Sequence, residues 1–267
     1  MSSRFFDGID WQQPWYSTVM QAAQPLLAAA NWRDELNRCA TGLYLRNHRD
    51  LPVRFIPQED LPEGKAYEAH ISDSGLVPTR ENLHDFFNAL VWLSFPLIKR
   101  QLNALQAAQI AVLGIGKSRG PARDAATLFD ENSALLVVRE GARGDALIAA
   151  LRDHQWLQVF AEQRTEFQEL AEVWSFGHAL MEKLVNPYKA ITAHCWIVRS
   201  PEDYAAMNAA TKMVWLDHTV ARQLQQTELQ TSAYTPLPVL GIPGWWSQQE
   251  RAFYEDTQVF RPRRRRD

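Results

Sequence analysis

The stretch from Glu81 to Gln106 reads ENLHDFFNALVWLSFPLIKRQLNALQ, and its apolar positions recur at helical rather than strand spacing. Leu83, Phe86, Phe87, Leu90, Val91 and Trp92 make one broad apolar face, which predicts a helix capped by Thr79 and running to about Phe95. Pro96 lacks a backbone donor, so it kinks the helix or restarts it as a second one, LIKRQLNALQAAQI. Polar residues sit inside this hydrophobic pattern: His84, Asp85, Asn88, Lys99 and Asn103. A polar group close to buried surface needs a partner or costs free energy, so each is either an internal tie or part of a working site.

With 267 residues, 46% of them hydrophobic, and ten Trp, twelve Phe and seven Tyr, the chain has the means to build a large packed core. The formal net charge of −3 argues against a surface devoted to nucleic acid. A nucleic-acid partner is left only weakly supported, by the basic end Arg261-Pro262-Arg263-Arg264-Arg265-Arg266, which reads equally as a solvated tail. The beginning, MSSRFFDGIDWQQPWY, has no basic segment followed by an apolar run, and the apolar run Ala89 to Ile98 is about half the roughly 20 residues a membrane helix requires. No membrane association and a cytoplasmic location are therefore expected. Cys39 and Cys195 lie far apart and form no CxxC pair, so neither a disulfide framework nor a cysteine zinc site is expected. His194 adjoins Cys195, but neighbours on a strand face opposite ways, and Cys195 reads as a buried structural thiol.

Outward from the central stretch, helices are predicted from Pro14 to Ala30, kinked at Pro25, and through WRDELNRCATGL. VRFIP and AYEAHI read as short strands. A strand at Ala134 to Val138, a helix from Asp145 to Asp153, a long helix from Glu162 to Leu184 and a strand from Ala190 to Val198 follow. A Ser-Pro-Glu-Asp start signal opens a helix from about Pro201 to Gln226, and TPLPVLGIPGWW reads as irregular. The expected fold is α+β: a helix-rich single globular domain over residues 1–260 with a few short strands, then a basic tail at 261–267.

Several constellations could carry chemistry. Gly116-Lys117-Ser118 matches the end of a phosphate loop, but Ala111 stands where its first glycine belongs, so a basic connecting loop is expected. His84 and Asn88, four apart, share a helix face, with Asp85 about 100° round from His84. Such a face can hold a metal or orient a water. Asp124 and Asp130 in RDAATLFDEN, beside a strand start, are the preferred acidic partners of that face, although acids there also make turns and caps. His178 and Glu182 have ligand spacing, but no further ligand is evident nearby, and an exposed helix pair is the plain reading. Trp245 and Trp246 could form an aromatic binding rim or seal the core.

His70 at the end of one strand reading, followed by a loop and the His84 helix, loosely resembles the ββα-metal or HNH nucleases. That resemblance implies His70 as general base, Asn82 holding the loop, and Asn88 or His84 on the metal; Ala69 stands where an acidic neighbour of the histidine would be. The blocks LHDFFNALVWLSFPLIKRQLN, RGPARDAATLFDEN, FGHALMEKL and GIPGWW followed by VFRP resemble an uncharacterised bacterial family, domain of unknown function 3025, over nearly the whole chain. That family implies kinship and no activity. The leading expectation is a metal-assisted hydrolase, phosphodiesterase-like or nuclease-like, using a divalent metal. Its catalytic residues would be His70, His84 and Asp85, and its metal residues Asn88, Asp124 and Asp130. The alternative is a non-catalytic binding protein with an aromatic groove near Trp245 and Trp246.

Overall fold

Pro96 divides the central stretch as its chemistry requires. In a computed structural model describing residues 4–113 and 120–263, α4 (Leu83–Ser94) ends just before it and α5 (Pro96–Leu113) begins on it. The earlier helices are α1 (Met20–Ala28), which contains Pro25, α2 (Trp32–Gly42) and the short α3 (Tyr67–Ser74). The cap of α4 is Asn82, whose Oδ1 accepts from the Asp85 amide at 2.8 Å, rather than Thr79, whose hydroxyl bonds the Val77 carbonyl. Every residue of α4 from Asp85 to Ser94 is buried, so this helix runs through the centre of the molecule. Its aromatic residues are covered by the N-terminal segment: Phe6 stacks on Phe86 at 4.8 Å and Tyr16 on Phe87 at 5.5 Å between ring centroids.

The start of α5 poses a local problem, because Phe95 has no side-chain acceptor for the first free amides of the helix. Asp217 of α10 (Ala209–Gln226) supplies it from far along the chain, with Oδ2 3.0 Å from the Leu97 amide and Oδ1 2.9 Å from the Ile98 amide. Burial pushes the Asp217 carboxyl up to about 7 against the pull of those two amides.

Two sheets complete the fold. β1 (Arg54–Pro57) and β2 (Leu76–Thr79) run parallel, joined by a crossover that contains α3. The expected strand AYEAHI is therefore corrected: Tyr67 to Ser74 is helix and His70 sits on it. Six residues are too few to separate the two periodicities, and the packing of α3 on α5 selects the helix. Gly75 ends it at φ 74°, where a side chain would also collide with the Pro52 carbonyl.

The larger sheet has the order β4-β3-β5-β6, formed by Ala171–Ser175, Ser133–Arg139, Thr192–Ser200 and Thr235–Pro238. β3 is buried from Ser133 to Val138 and pairs parallel with β5 and antiparallel with β4; β5 and β6 are antiparallel. The expected helix from Glu162 to Leu184 is accordingly broken into α8 (Arg164–Leu170), β4 and α9 (His178–Lys183). The second edge of β3 needs hydrogen-bond partners, and the AEVWS segment satisfies it despite helical periodicity on either side. Likewise TPLP, read as irregular, adds β6, and the helix expected from Pro201 begins only at Ala209, after a short turn.

α6 (Pro121–Asn132) turns the RDAATLFDEN segment into helix leading directly into β3, and α7 (Ala142–Arg152) follows that strand. One hydrophobic cluster runs from Phe6 to Phe260, so the architecture is a single α+β domain. Among the described residues no helix is long and apolar enough to cross a membrane.

Removing the carboxylate that caps α5 tests the dependence of this helix on α10. Asp217→Ala should lower unfolding stability by about 1–2 kcal/mol, measured by urea denaturation, whereas Asp217→Asn, which keeps an acceptor, should lose less than half as much.

Candidate active site

α3, α4, α6 and α9 enclose a polar cavity of about 490 Å³, with Arg80 before α4 and Gln106 of α5 also on its wall. Its position follows from a close backbone approach. The amides of Phe176 and Gly177 both donate to the Ser133 carbonyl, at 3.2 and 2.8 Å, which draws the start of α9 against the end of α6. A side chain at Gly177 would collide with the backbone of Glu131 and Asn132, so only glycine permits the contact. The consequence is that His178 reaches Asp130.

A buried network forms the back of the cavity. The Lys99 ammonium donates to Asn88 Oδ1 at 2.8 Å and to the two Asp130 oxygens at 2.6 and 2.8 Å. Asn88 Nδ2 donates in turn to the Tyr67 hydroxyl at 3.1 Å. Burial alone would raise the Asp130 carboxyl, but Lys99 outweighs it and holds the group below its ordinary value. Asp130 is thus an ionised carboxylate inside the protein.

Two histidines continue the network outward. His178 Nδ1 lies 3.8 Å from Asp130 Oδ2, its Nε2 lies 3.1 Å from His84 Nε2, and His84 Nδ1 lies 2.9 Å from Glu182 Oε2. Burial drives the His178 imidazole down to about 3, with Lys99 and His84 pushing the same way and Asp130 opposing, so this ring is neutral. Two facing Nε2 atoms need one donor and one acceptor. Which ring donates depends on what each Nδ1 faces: Glu182 for His84 and Asp130 for His178.

The groups that face the cavity with capacity to spare are different ones. Asn103 Nδ2 donates to Glu68 Oε2 at 2.9 Å and to the Glu68 carbonyl at 3.0 Å, which orients that carboxyl and, among the described residues, leaves its other oxygen without a side-chain partner. Burial raises Glu68 above the usual carboxylate range and Asp130 adds to the effect, while Lys99 and Asn103 oppose it. Burial, reinforced by Glu68, Asp85 and Asp130, keeps the Tyr67 hydroxyl protonated far above its ordinary range, so it remains a donor. Among the described residues the Arg123 Nε is buried without a partner and the buried Gln106 side chain makes no hydrogen bond. Arg80 is occupied, since its backbone and guanidinium clamp Asp85 at 2.6 to 3.0 Å.

Of the residues expected from the sequence, His84, Asp85, Asn88 and Asp130 meet in this cavity. His70 and Asp124 do not: His70 is buried elsewhere on α3, and Asp124 is exposed in the first turn of α6. The strand histidine that the nuclease resemblance requires is thereby replaced by a helical one. Among the described residues no three His, Cys, Asp or Glu side chains are grouped to hold a metal ion, and the oxygens of Asn88 and Asp130 already surround the Lys99 ammonium.

His178 and Glu182, expected as an exposed pair, are instead the inner and outer neighbours of His84. Tyr67, Glu68 and Gln106 went unrecognised in the sequence; reading AYEAHI as helix would have placed Tyr67 and Glu68 on a chain segment able to face α5. Trp245 and Trp246 pack partly buried against the core, Trp245 lying 6.3 Å from Trp15 between ring centroids. Cys195 is fully buried on β5, and burial pushes its thiol far up, as suits a structural cysteine. Gly116-Lys117-Ser118 and the terminal Arg264-Arg265-Arg266 lie outside the described residues.

A family model described as protein of unknown function (DUF3025) matches residues 53–264, a span that takes in every element of this cavity. No curated protein and no solved structure matches the chain.

Lys99→Met should leave Asp130 buried without its cation and cost about 3–5 kcal/mol of stability. The double variant Lys99→Met with Asp130→Asn should lose clearly less than the sum of the two singles, as read by chemical denaturation. Titration gives a second check. His178 falls from 6.5 in the unfolded chain to about 3 in the fold, so its contribution is complete above pH 6.5 and is lost as the pH falls towards 3. Asp217, raised from 3.8 to about 7, acts with the opposite sign, its contribution fading as the pH rises through that window. In an Asp217→Asn background, adding His178→Gln should therefore flatten the rise of stability between about pH 4 and 6 by up to about 1.4 kcal/mol per pH unit.

Proposed function

The chain belongs to the DUF3025 family, whose description assigns no activity, and from its cavity we propose an acid–base hydrolase for small anionic esters. The observation that carries this reading is Glu68: a carboxyl raised by burial, oriented through one oxygen by Asn103, with the other oxygen available in a cavity that also presents Arg123, Gln106 and the Tyr67 hydroxyl. Raised carboxyls beside unpartnered donors in a cleft are the usual composition of acid–base sites.

In this proposal Arg123 and Gln106 hold the anionic group of the substrate, and the Tyr67 hydroxyl donates to the oxygen on which charge develops. Ionised Glu68 takes a proton from an attacking water and then returns it to the leaving oxygen, so the site ends the cycle as it began. Lys99 neutralises Asp130 and, through Asn88, keeps the Tyr67 hydroxyl aimed at the cavity. His84 and Glu182 extend the network from His178 towards the outer side of the cavity. The cationic position that a divalent metal would take between Asn88 and Asp130 is filled by the Lys99 ammonium, which favours a reaction without a resident metal.

Turnover of p-nitrophenyl phosphate and bis(p-nitrophenyl) phosphate, with p-nitrophenyl acetate as the uncharged comparison, tests the reading with and without EDTA. The anionic esters should be hydrolysed equally in both conditions. Glu68→Gln should lower kcat by about 10²–10⁴-fold with little change in KM, and Arg123→Gln should chiefly raise KM. Absence of turnover on all three esters, or wild-type kcat in Glu68→Gln, would overturn the proposal.

A further inference from the structure

The side of α5 turned away from the cavity carries a second recess of a different character. Lys99, Asn103 and Gln106 follow one another at helical spacing towards the cavity, whereas Leu97, Arg100, Gln101 and Ala104 follow one another towards α10. Across from them stand His218, Arg222 and Gln225 of α10, and His48 closes one end, giving a recess of about 570 Å³. Ala104 and Ala221 face it with short side chains, which leaves the room.

The charges in this recess all have one sign. Arg100 and Arg222 are its permanently charged residues, two histidines stand beside them, and among the described residues no carboxylate lines it. Arginines elsewhere in the fold are commonly paired, as Arg80 is with Asp85 and Arg143 with Glu166. Arg100 and Arg222 make neither a salt bridge nor a side-chain hydrogen bond among the described residues. Asp73, which acts on His48, also pairs with Lys65 at 2.5 Å and Arg49 at 3.2 Å, and Asp217, beside His218, is turned to the start of α5.

His48 is held in place by a dedicated device. The fully buried Asn47 donates to the carbonyls of Ile71 and Ser72 at 2.7 and 3.0 Å and accepts from the amides of Arg49 and Leu51 at 2.9 and 3.0 Å. That fixes the loop, and His48 Nε2 then meets the Ser72 hydroxyl at 2.8 Å, with the residue lining the recess. Burial lowers the His48 imidazole, Arg49 and Arg100 lower it further, and Asp73 opposes them.

We propose that this recess binds a compact phosphoryl anion, gripped between the guanidinium groups of Arg100 and Arg222 and completed by His48, His218 and the amides of Gln101 and Gln225. Planar guanidinium groups match phosphate oxygens in pairs, and an anion there removes the mutual repulsion of the two arginines. The size of the recess and the presence of only two arginines fit a small phosphorylated molecule or pyrophosphate. A polynucleotide track would need a longer basic stripe, and the chain as a whole is net negative, at −3.

Calorimetric titration of the full chain with pyrophosphate at low ionic strength tests the assignment. Wild type should bind, and Arg100→Gln with Arg222→Gln should bind at least about tenfold more weakly, a loss of roughly 1.4 kcal/mol. A control with the same charge change at two exposed positions, Arg54→Gln with Arg152→Gln, should stay within about twofold of wild type. His218→Gln, at an exposed position, provides a milder variant that should weaken binding without altering the unfolding midpoint. No binding by wild type, equal binding by the Arg100 and Arg222 variant, or an equal loss in the control would overturn the site. A single-stranded oligonucleotide that displaces pyrophosphate at a lower phosphate concentration would overturn the compact ligand.

Discussion

The Lys99 ammonium, buried between Asn88 and Asp130, is the contact on which the interior of this protein is organised. It ties α5 to α4 and α6 at a point where the lysine and aspartate side chains are only 5% and 10% exposed. A buried pair of this kind adds little net stability compared with apolar packing, because two charges have been taken out of water. Its effect is asymmetric: removing either partner leaves an uncompensated charge at this depth, so the contact couples the three helices. The same contact determines what the cavity can do. By engaging both Asp130 oxygens it makes the back wall a hydrogen-bonded network that reaches Tyr67 through Asn88, with His178 Nδ1 3.8 Å from Asp130 on the other side.

The geometry around that network depends on backbone decisions made elsewhere. β3 is flanked by β4 and β5, and the turn that leaves β4 returns to the Ser133 carbonyl through Phe176 and Gly177. Because Gly177 has no side chain, α9 begins against the last turn of α6, and His178 enters the interior beside Asp130. The sheet thus contributes no residue to the cavity's chemistry, yet it sets the approach of the two helices that do. α5 acts as the partition. One of its faces places Gln106 on the wall of the polar cavity, with Lys99 and Asn103 bonded to Asp130 and Glu68 of that wall, and the other supplies Arg100 and Gln101 to the basic recess shared with α10, whose Asp217 also caps the helix.

Much of this was readable from residues whose environment is decided locally. The break at Pro96, the burial of the Leu83 to Ser94 helix and the strands around Leu136 and Ile197 follow from proline chemistry and apolar runs. So did four members of the cavity, His84, Asp85, Asn88 and Asp130, since polar groups in apolar surroundings must have partners. The failures share a cause. AYEAHI is too short for its period to distinguish helix from strand, and the packing of α3 against α5 made the choice. AEVWS lies between helical stretches and became a strand because β3 had an edge to fill. Missing the helix at Tyr67 to Ser74 also hid Glu68 and Tyr67.

By itself, then, the amino-acid sequence determined a helix-rich α+β domain, a central helix broken at Pro96, and kinship with the DUF3025 family. It also singled out polar side chains that had to be satisfied. Only the tertiary structure decided which partners satisfy them. Lys99 and Asp130 are 31 residues apart and His84 and Glu182 are 98 apart, so no local pattern couples them. Those pairings arise where helices from distant parts of the chain converge, and there the cost of an unpaired buried charge, rather than any periodicity, selects the arrangement.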